Sequence, residues 1–343
     1  MLIGLVFILG LAGVGSAEAA AAGGGVYALK QQFVLGGPGG WDYLTLDPGA
    51  GRLFIARSDR VIVISTVDGS MLGVIEHTEG VHGIALAPDL GRGFTSNGRA
   101  DSVTVFDLKT LATLGTIPVN GHNPDAIVYD QASGRLFTFN GRSHDISVID
   151  PKAGSVVATI PAGGKPEFAQ ADGAGHIFYN IEDTAQISEI DARAARRTGT
   201  WVLPDCEEPS GLAFDIAHGR LFSTCGNRTL AVTDAATGRH VAAVPIGRGP
   251  DAAMYDADRG LVFSSNGEDG TLTVIHEDSP DHYSVVATVP TQKSARTMAL
   301  DARSHLIYSV AAEFGPAPPA TPEHPKPRPA VLEGTFKVLV IGN

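Results

Sequence analysis

At 343 residues the chain is long enough for two ordinary domains or one large repeat protein, and its 42 glycines and 21 prolines favour short, turn-bounded strands over helices. Its 37 acids against 25 bases leave a formal charge of -12. With no basic stripe to displace counterions, a nucleic-acid partner is not expected.

The chain opens on an uncharged run from Leu2 to Ala17, short for a bilayer span but the right size for a signal-peptide core, followed by the small-residue site Ala17-Glu18-Ala19. Residues 1–22 therefore read as a signal peptide. No Lys or Arg follows Met1, so a retained N-terminal anchor is the alternative. Export predicts a periplasmic or secreted protein, with no stable transmembrane span after cleavage.

Next comes "YALKQQFVLGG", residues 27 to 37, which reads as a strand with no partner nearby. A repeated phrase then takes over: "NPDAIVYDQASGRLFTFNG" from Asn123, "EPSGLAFDIAHGRLFSTCG" from Glu208 and "GPDAAMYDADRGLVFSSNG" from Gly249. Aligning the last residue of each first strand gives Asp47, Ala87, Asp130, Asp172, Asp215, Asp256 and Asp301, in steps of 40, 43, 42, 43, 41 and 45 residues. Four short β-rich runs recur in each unit, as in "DAIVYD", "RLFTFNG", "DISVID" and "VVATIPAGG" of the third, and four strands at this period define a propeller blade.

Asn-Gly at 97, 140 and 266 falls between second and third strands, where a tight reversal predicts positive φ. Gly-Arg at 51, 91, 134 and 219 closes the first hairpin at the other end. The last unit supplies only "RTMALD", "HLIYSV" and "FKVLVIG", so the strand at 27–37 is expected to complete it and close the ring. The expectation is an all-β, seven-bladed β-propeller over 27–343, as a monomer. A proline-rich insertion, 315–330, interrupts the last blade on its top face; it reads as polyproline II, either a passive extension or a lid or docking strap.

The segments "GFTSN", "LFTFN" and "VFSSN" echo a repeat signature, and on them the chain resembles the YVTN-repeat, YncE-like seven-bladed propellers over residues 27 to 343. The resemblance implies an exported bacterial protein with a WD40-like architecture in a family where many members have no assigned reaction. Related-looking propellers include lactonases of the 6-phosphogluconolactonase type and the heavy subunit of quinoprotein amine dehydrogenases. The fold itself hosts enzymes, scaffolds and binders alike.

In a propeller the innermost strand of each blade is entered from the face that carries most sites. The residue five before each register position gives Asp42, His82, Asp125, Glu167, Ser210, Asp251 and Arg296, one per blade. Four are acids. Each acid alone is explained as a turn cap; a ring of them instead suggests a site for a ligand or for a divalent cation such as Ca²⁺, held by Asp42, Asp125, Glu167 and Asp251. Glu207, Glu208, Arg99, Arg142 and His122 are candidate rim residues, with His144 and Arg228 nearby. His77, Glu79 and His82 lack the spacing of a helical zinc motif and read as loop polar groups. Cys206 and Cys225 are expected to form a disulfide, against a buried free pair or a catalytic or metal role.

The favoured functional reading is binding of a small molecule, cation or partner protein at this acidic funnel, without turnover. A metal-assisted, lactonase-type hydrolase is the alternative. A redox role resembling the amine dehydrogenase heavy subunit or a haem d1-binding propeller comes third: His82 is the only ring residue able to ligate haem iron.

Overall fold

The computed structural model describes residues 27–321, 327 and 329–343. The signal-peptide expectation for residues 1–22, and part of the proline-rich insertion, lie outside them. Among the described residues the chain forms seven four-stranded antiparallel sheets, arranged as a β-propeller. There is no α-helix among them, only 3-10 turns at Pro88–Leu90 and Glu182–Thr184, and so no helix long and apolar enough to cross a membrane.

Each of blades 1 to 6 uses four consecutive strands. Blade 3, for example, runs Pro124–Asp130, Arg135–Asn140, Asp145–Asp150 and Ser155–Pro161. The second strand packs between neighbouring blades and is buried at nearly every position, so "RLFTFN" carries bulk on both faces. The fourth faces solvent on one side and alternates, so "SVVATIP" can expose Val157 and bury Ile160.

Blade 7 is composite. Its inner strands Met298–Asp301, Leu306–Ala311 and Lys337–Gly342 are completed by Ala28–Val34, which pairs antiparallel with the last of them from Ala28 opposite Gly342 to Val34 opposite Lys337. The two ends of the described chain thus meet in one sheet, as expected, and no blade is left with a missing strand.

At the Gly-Arg corners Gly51, Gly91, Gly134 and Gly219 take φ of 63°, 63°, 67° and 64°, which is the left-handed conformation glycine permits. The Asn-Gly expectation needs correction, because Gly98, Gly141 and Gly267 are not among the positive-φ residues. Two of these glycines answer to space instead. A Cβ on Gly98 would lie 2.6 Å from His82 Nε2, and one on Gly267 would lie 2.8 Å from Arg296 Cβ.

The asparagine before each glycine turns inward and ties the hairpin. Asn97 Nδ2 donates to Thr104 Oγ1 at 2.8 Å, and Asn266 Nδ2 to Thr273 Oγ1 at 2.9 Å. Where blade 5 has cysteine in that column, Cys225 is bonded to Cys206, with Cα atoms 5.3 Å apart. Closing a 19-residue loop, the bridge contributes about 3 kcal/mol by the chain-entropy estimate.

Candidate functional site

All seven residues picked by the register line a single cavity of about 640 Å³ at the mouth of the central channel. The backbone explains why. In blades 2 to 6 the first strand pairs at its first residue and then shifts register, at Val81/Ile84, Pro124/Ile127, Pro166/Ala169, Pro209/Leu212 and Pro250/Ala253. His82, Asp125, Glu167, Ser210 and Asp251 each sit inside such a bulge, which frees the side chain from the ladder and re-aims it. In blades 1 and 7 the strand begins later, and Asp42 and Arg296 precede it.

Neighbouring blades hold the bulges in place. The buried Ser96 hydroxyl donates to the carbonyl of Asp125 one blade on, and Ser265 does the same to the carbonyl of Arg296. Asn180 Nδ2 donates to Ser210 O at 2.9 Å. The polar residues of the repeat signature therefore clamp the ring of the following blade.

The ring is not a uniform circle of acids. His82 Nδ1 lies 2.6 Å from Asp42 Oδ2 and 3.9 Å from Asp125 Oδ1. Arg296 binds Asp251 directly, reaches Asp42 Oδ1 at 3.6 Å and donates to Trp41 O at 3.0 Å. Ser210 Oγ donates to Asp251 Oδ1 at 3.0 Å. Glu167 is met by Lys165 Nζ at 2.8 Å, which also holds Glu182. Asp125 receives no side-chain or backbone hydrogen bond to its carboxylate among the described residues.

Of the four carboxylates expected to hold a cation, the geometry separates two: Glu167 is engaged by Lys165 and Asp251 by Arg296. The compact group is instead Asp42, His82 and Asp125, with one donor atom from each within 4.8 Å of the others.

Burial opposes the charge on His82, but the hydrogen bond it donates to Asp42 and the charges of Asp125 and Asp42 overcome it and lift its pKa to about 9. Burial pushes Asp125 and Glu167 upward, and their mutual repulsion adds to the rise of Glu167. Arg296 is held charged against its own burial by Asp251 and Asp42.

Several cavity residues escaped the sequence reading. Tyr43 and Phe168 follow Asp42 and Glu167 directly and line the same cavity, with rings stacked at a centroid distance of 4.4 Å. The Tyr43 hydroxyl is buried without a hydrogen-bond partner among the described residues. Burial, then the carboxylates of Asp125, Glu167, Asp42 and Asp251, push its pKa well above the usual phenol value. Glu182 and Glu268 add two further acids.

The expected rim divides. Glu208 lines a cavity of about 400 Å³ that adjoins the funnel at Ser210 and Asp251, together with Arg228 and Arg248. Glu207 stays exposed. Arg99, Arg142 and His122 are exposed and do not line the funnel; His122 Nδ1 is 2.8 Å from Asp101 Oδ2. A further cavity of about 640 Å³ shares Arg296 with the funnel and is walled by Trp41, Phe314, Pro329 and Val331. Phe314 bridges to Val331 across the insertion and packs on Trp41 at 5.8 Å.

No family model matches the chain, and no curated protein does. Among solved structures it is similar to the hydrazine synthase of Kuenenia stuttgartiensis, at 17% identity and a TM-score of 0.68 over 79% of this chain and 92% of that one. It is also similar to U3-55K, at 11% identity and 0.74 over 91% and 98%, and to the WD40 repeats of RRP9, at 11% and 0.75 over 94% and 99%. At these identities the likeness establishes the seven-bladed, WD40-like propeller and nothing about activity.

Proposed function

We propose that this protein is an exported, YncE-like propeller that binds a small organic cation in its top-face funnel and does not turn it over. The supporting observation is the charge of one cavity: Asp42, Asp125, Glu167, Glu182, Asp251 and Glu268 line it against His82 and Arg296. An ammonium group placed beside Asp125 meets a carboxylate with no hydrogen-bond donor among the described residues, in the same cavity as the stacked Tyr43 and Phe168 rings, whose π faces favour a cation. The apolar cavity behind Arg296 offers room for the rest of such a molecule.

Isothermal titration of the full chain tests this with methylammonium and phenethylammonium as probes. Phenethylammonium binds the more tightly, and Asp125→Asn weakens it about tenfold, the loss of one partly buried charge pair. Undiminished binding in a variant combining Asp125→Asn and Glu167→Gln rules out the funnel as the site.

A second reading, metal-assisted hydrolysis of a lactone, is favoured by the convergence of Asp42, His82 and Asp125. These three residues would hold the ion, which when bound polarises a carbonyl oxygen. Glu167, held near neutrality by burial and by the neighbouring acids, would be the group to move a proton to or from water. Lactone hydrolysis that stays absent with Ca²⁺, Mg²⁺, Mn²⁺ or Zn²⁺ added eliminates this reading.

A further inference from the structure

The funnel is not the only place where titratable side chains converge. Asp215 and Ser210 stand at opposite ends of the same strand, Pro209–Asp215, so Asp215 lies at the far end of blade 5 from the funnel. There it meets His218, in the turn that follows, and Glu277, from the third strand of blade 6. One donor atom from each lies within 4.8 Å of the other two.

Both carboxylates are buried, with only 2% and 3% of their side chains accessible, while His218 is 50% accessible. His218 Nδ1 lies 2.6 Å from Asp215 Oδ2 and 3.4 Å from Glu277 Oε1. A single ring nitrogen carries at most one proton, so it cannot satisfy both acids. Glu277 Oε1 is accordingly buried with no hydrogen-bond partner among the described residues. A buried carboxylate oxygen left in that state is costly.

The outer oxygens are already fixed. Tyr255 donates its hydroxyl to Glu277 Oε2 at 2.6 Å, and Ala217 N donates to Asp215 Oδ1 at 3.1 Å. Each carboxylate thus keeps its other oxygen turned toward the histidine, the arrangement in which outer partners orient metal ligands. The nearby cation Arg220 is taken up by Asp234 at 2.8 Å and Asp281 at 3.2 Å.

We propose that Asp215, His218 and Glu277 form a divalent metal site between blades 5 and 6, suited to Zn²⁺. Zinc bound tetrahedrally at about 2.1 Å from N and O donors sets those donors roughly 3.4 Å apart. The His218–Glu277 separation already has that value, and the His218–Asp215 contact opens by less than an ångström when the ion replaces its proton. Ca²⁺, which takes six to eight oxygens, fits poorly beside a ring nitrogen. The exposed face of His218 provides entry and leaves the fourth position to water.

The test is Zn²⁺ titration and Zn²⁺-dependent melting of the chelator-treated full chain, as wild type, His218→Ala, Glu277→Gln and Asp125→Asn. His218→Ala is expected to lose one equivalent of Zn²⁺ and the associated rise in Tm. Glu277→Gln, which preserves the shape of the Tyr255 partner, weakens that equivalent at least tenfold, while Asp125→Asn in the funnel retains it. Identical zinc uptake by wild type and His218→Ala, including none in either, overturns the assignment. A folded Glu277→Gln protein with undiminished affinity does so as well.

Discussion

Asp125 shows how a single position combines position, charge and cost. Its bulge turns it into the cavity, its carboxylate finds no hydrogen-bond donor among the described residues, and burial raises its pKa, as it does for Glu167. Both acids therefore bind more protons folded than unfolded above the ordinary carboxylate range, so their effect on stability worsens as pH rises. His82 slopes the same way: its folded pKa of about 9 exceeds the ordinary 6.5, so the stability it contributes is complete below 6.5 and lost as pH climbs through 9. Wild-type Tm is expected to fall steadily from pH 5 to pH 9 in the absence of ligand. Asp125→Asn should flatten that profile and stabilise the ligand-free protein by about 1 kcal/mol at pH 8, trading binding for stability. Calorimetric melts across the range check both; a wild-type Tm rising with pH contradicts the electrostatics.

Within a blade, the hairpin glycines and the bulged strand act as one device. Gly98 and Gly267 give the ring residues of their own and the next blade the space they occupy. Gly98→Ala drives a methyl group toward the His82 ring, where overpacking costs about 1–3 kcal/mol, and it tilts His82 away from Asp42. Denaturant unfolding should show the loss, and NMR titration of His82 should show its pKa falling toward the ordinary value as the Asp42 bond lengthens. Unchanged stability together with an unchanged His82 titration contradicts the steric account.

For the whole molecule, closure of the ring rests on one seven-residue strand, Ala28–Val34, which covers Lys337–Gly342. Deleting it uncovers a sheet edge and the apolar faces of blade 7, where Phe33 packs in a cluster with Trp41 and Phe336. Such an edge invites pairing with other chains. The truncated protein is expected to elute as soluble aggregate in size-exclusion chromatography and to lose a cooperative melt, whereas a monomeric, cooperative product contradicts closure by that strand.

Blade number, strand order and the seven cavity residues were legible because a period of roughly forty residues, with four short β-rich runs inside it, repeats the same backbone conformation at the same offset. The partition of the ring was not: Lys165 reaches Glu167 through the irregular entry to blade 4, while Arg296 claiming Asp251, and Asp42, His82 and Asp125 converging, depend on how adjacent blades pack side by side around the axis. Tyr43 and Phe168 were missed for a related reason. Neighbouring residues of a regular strand face opposite ways, and only an irregular entry, such as the bulge at Phe168, lets two in a row reach one cavity. Local pattern specifies repeated local geometry, whereas ion pairs and buried, unpartnered oxygens such as Glu277 Oε1 arise between segments far apart in the chain, and only their packing decides them.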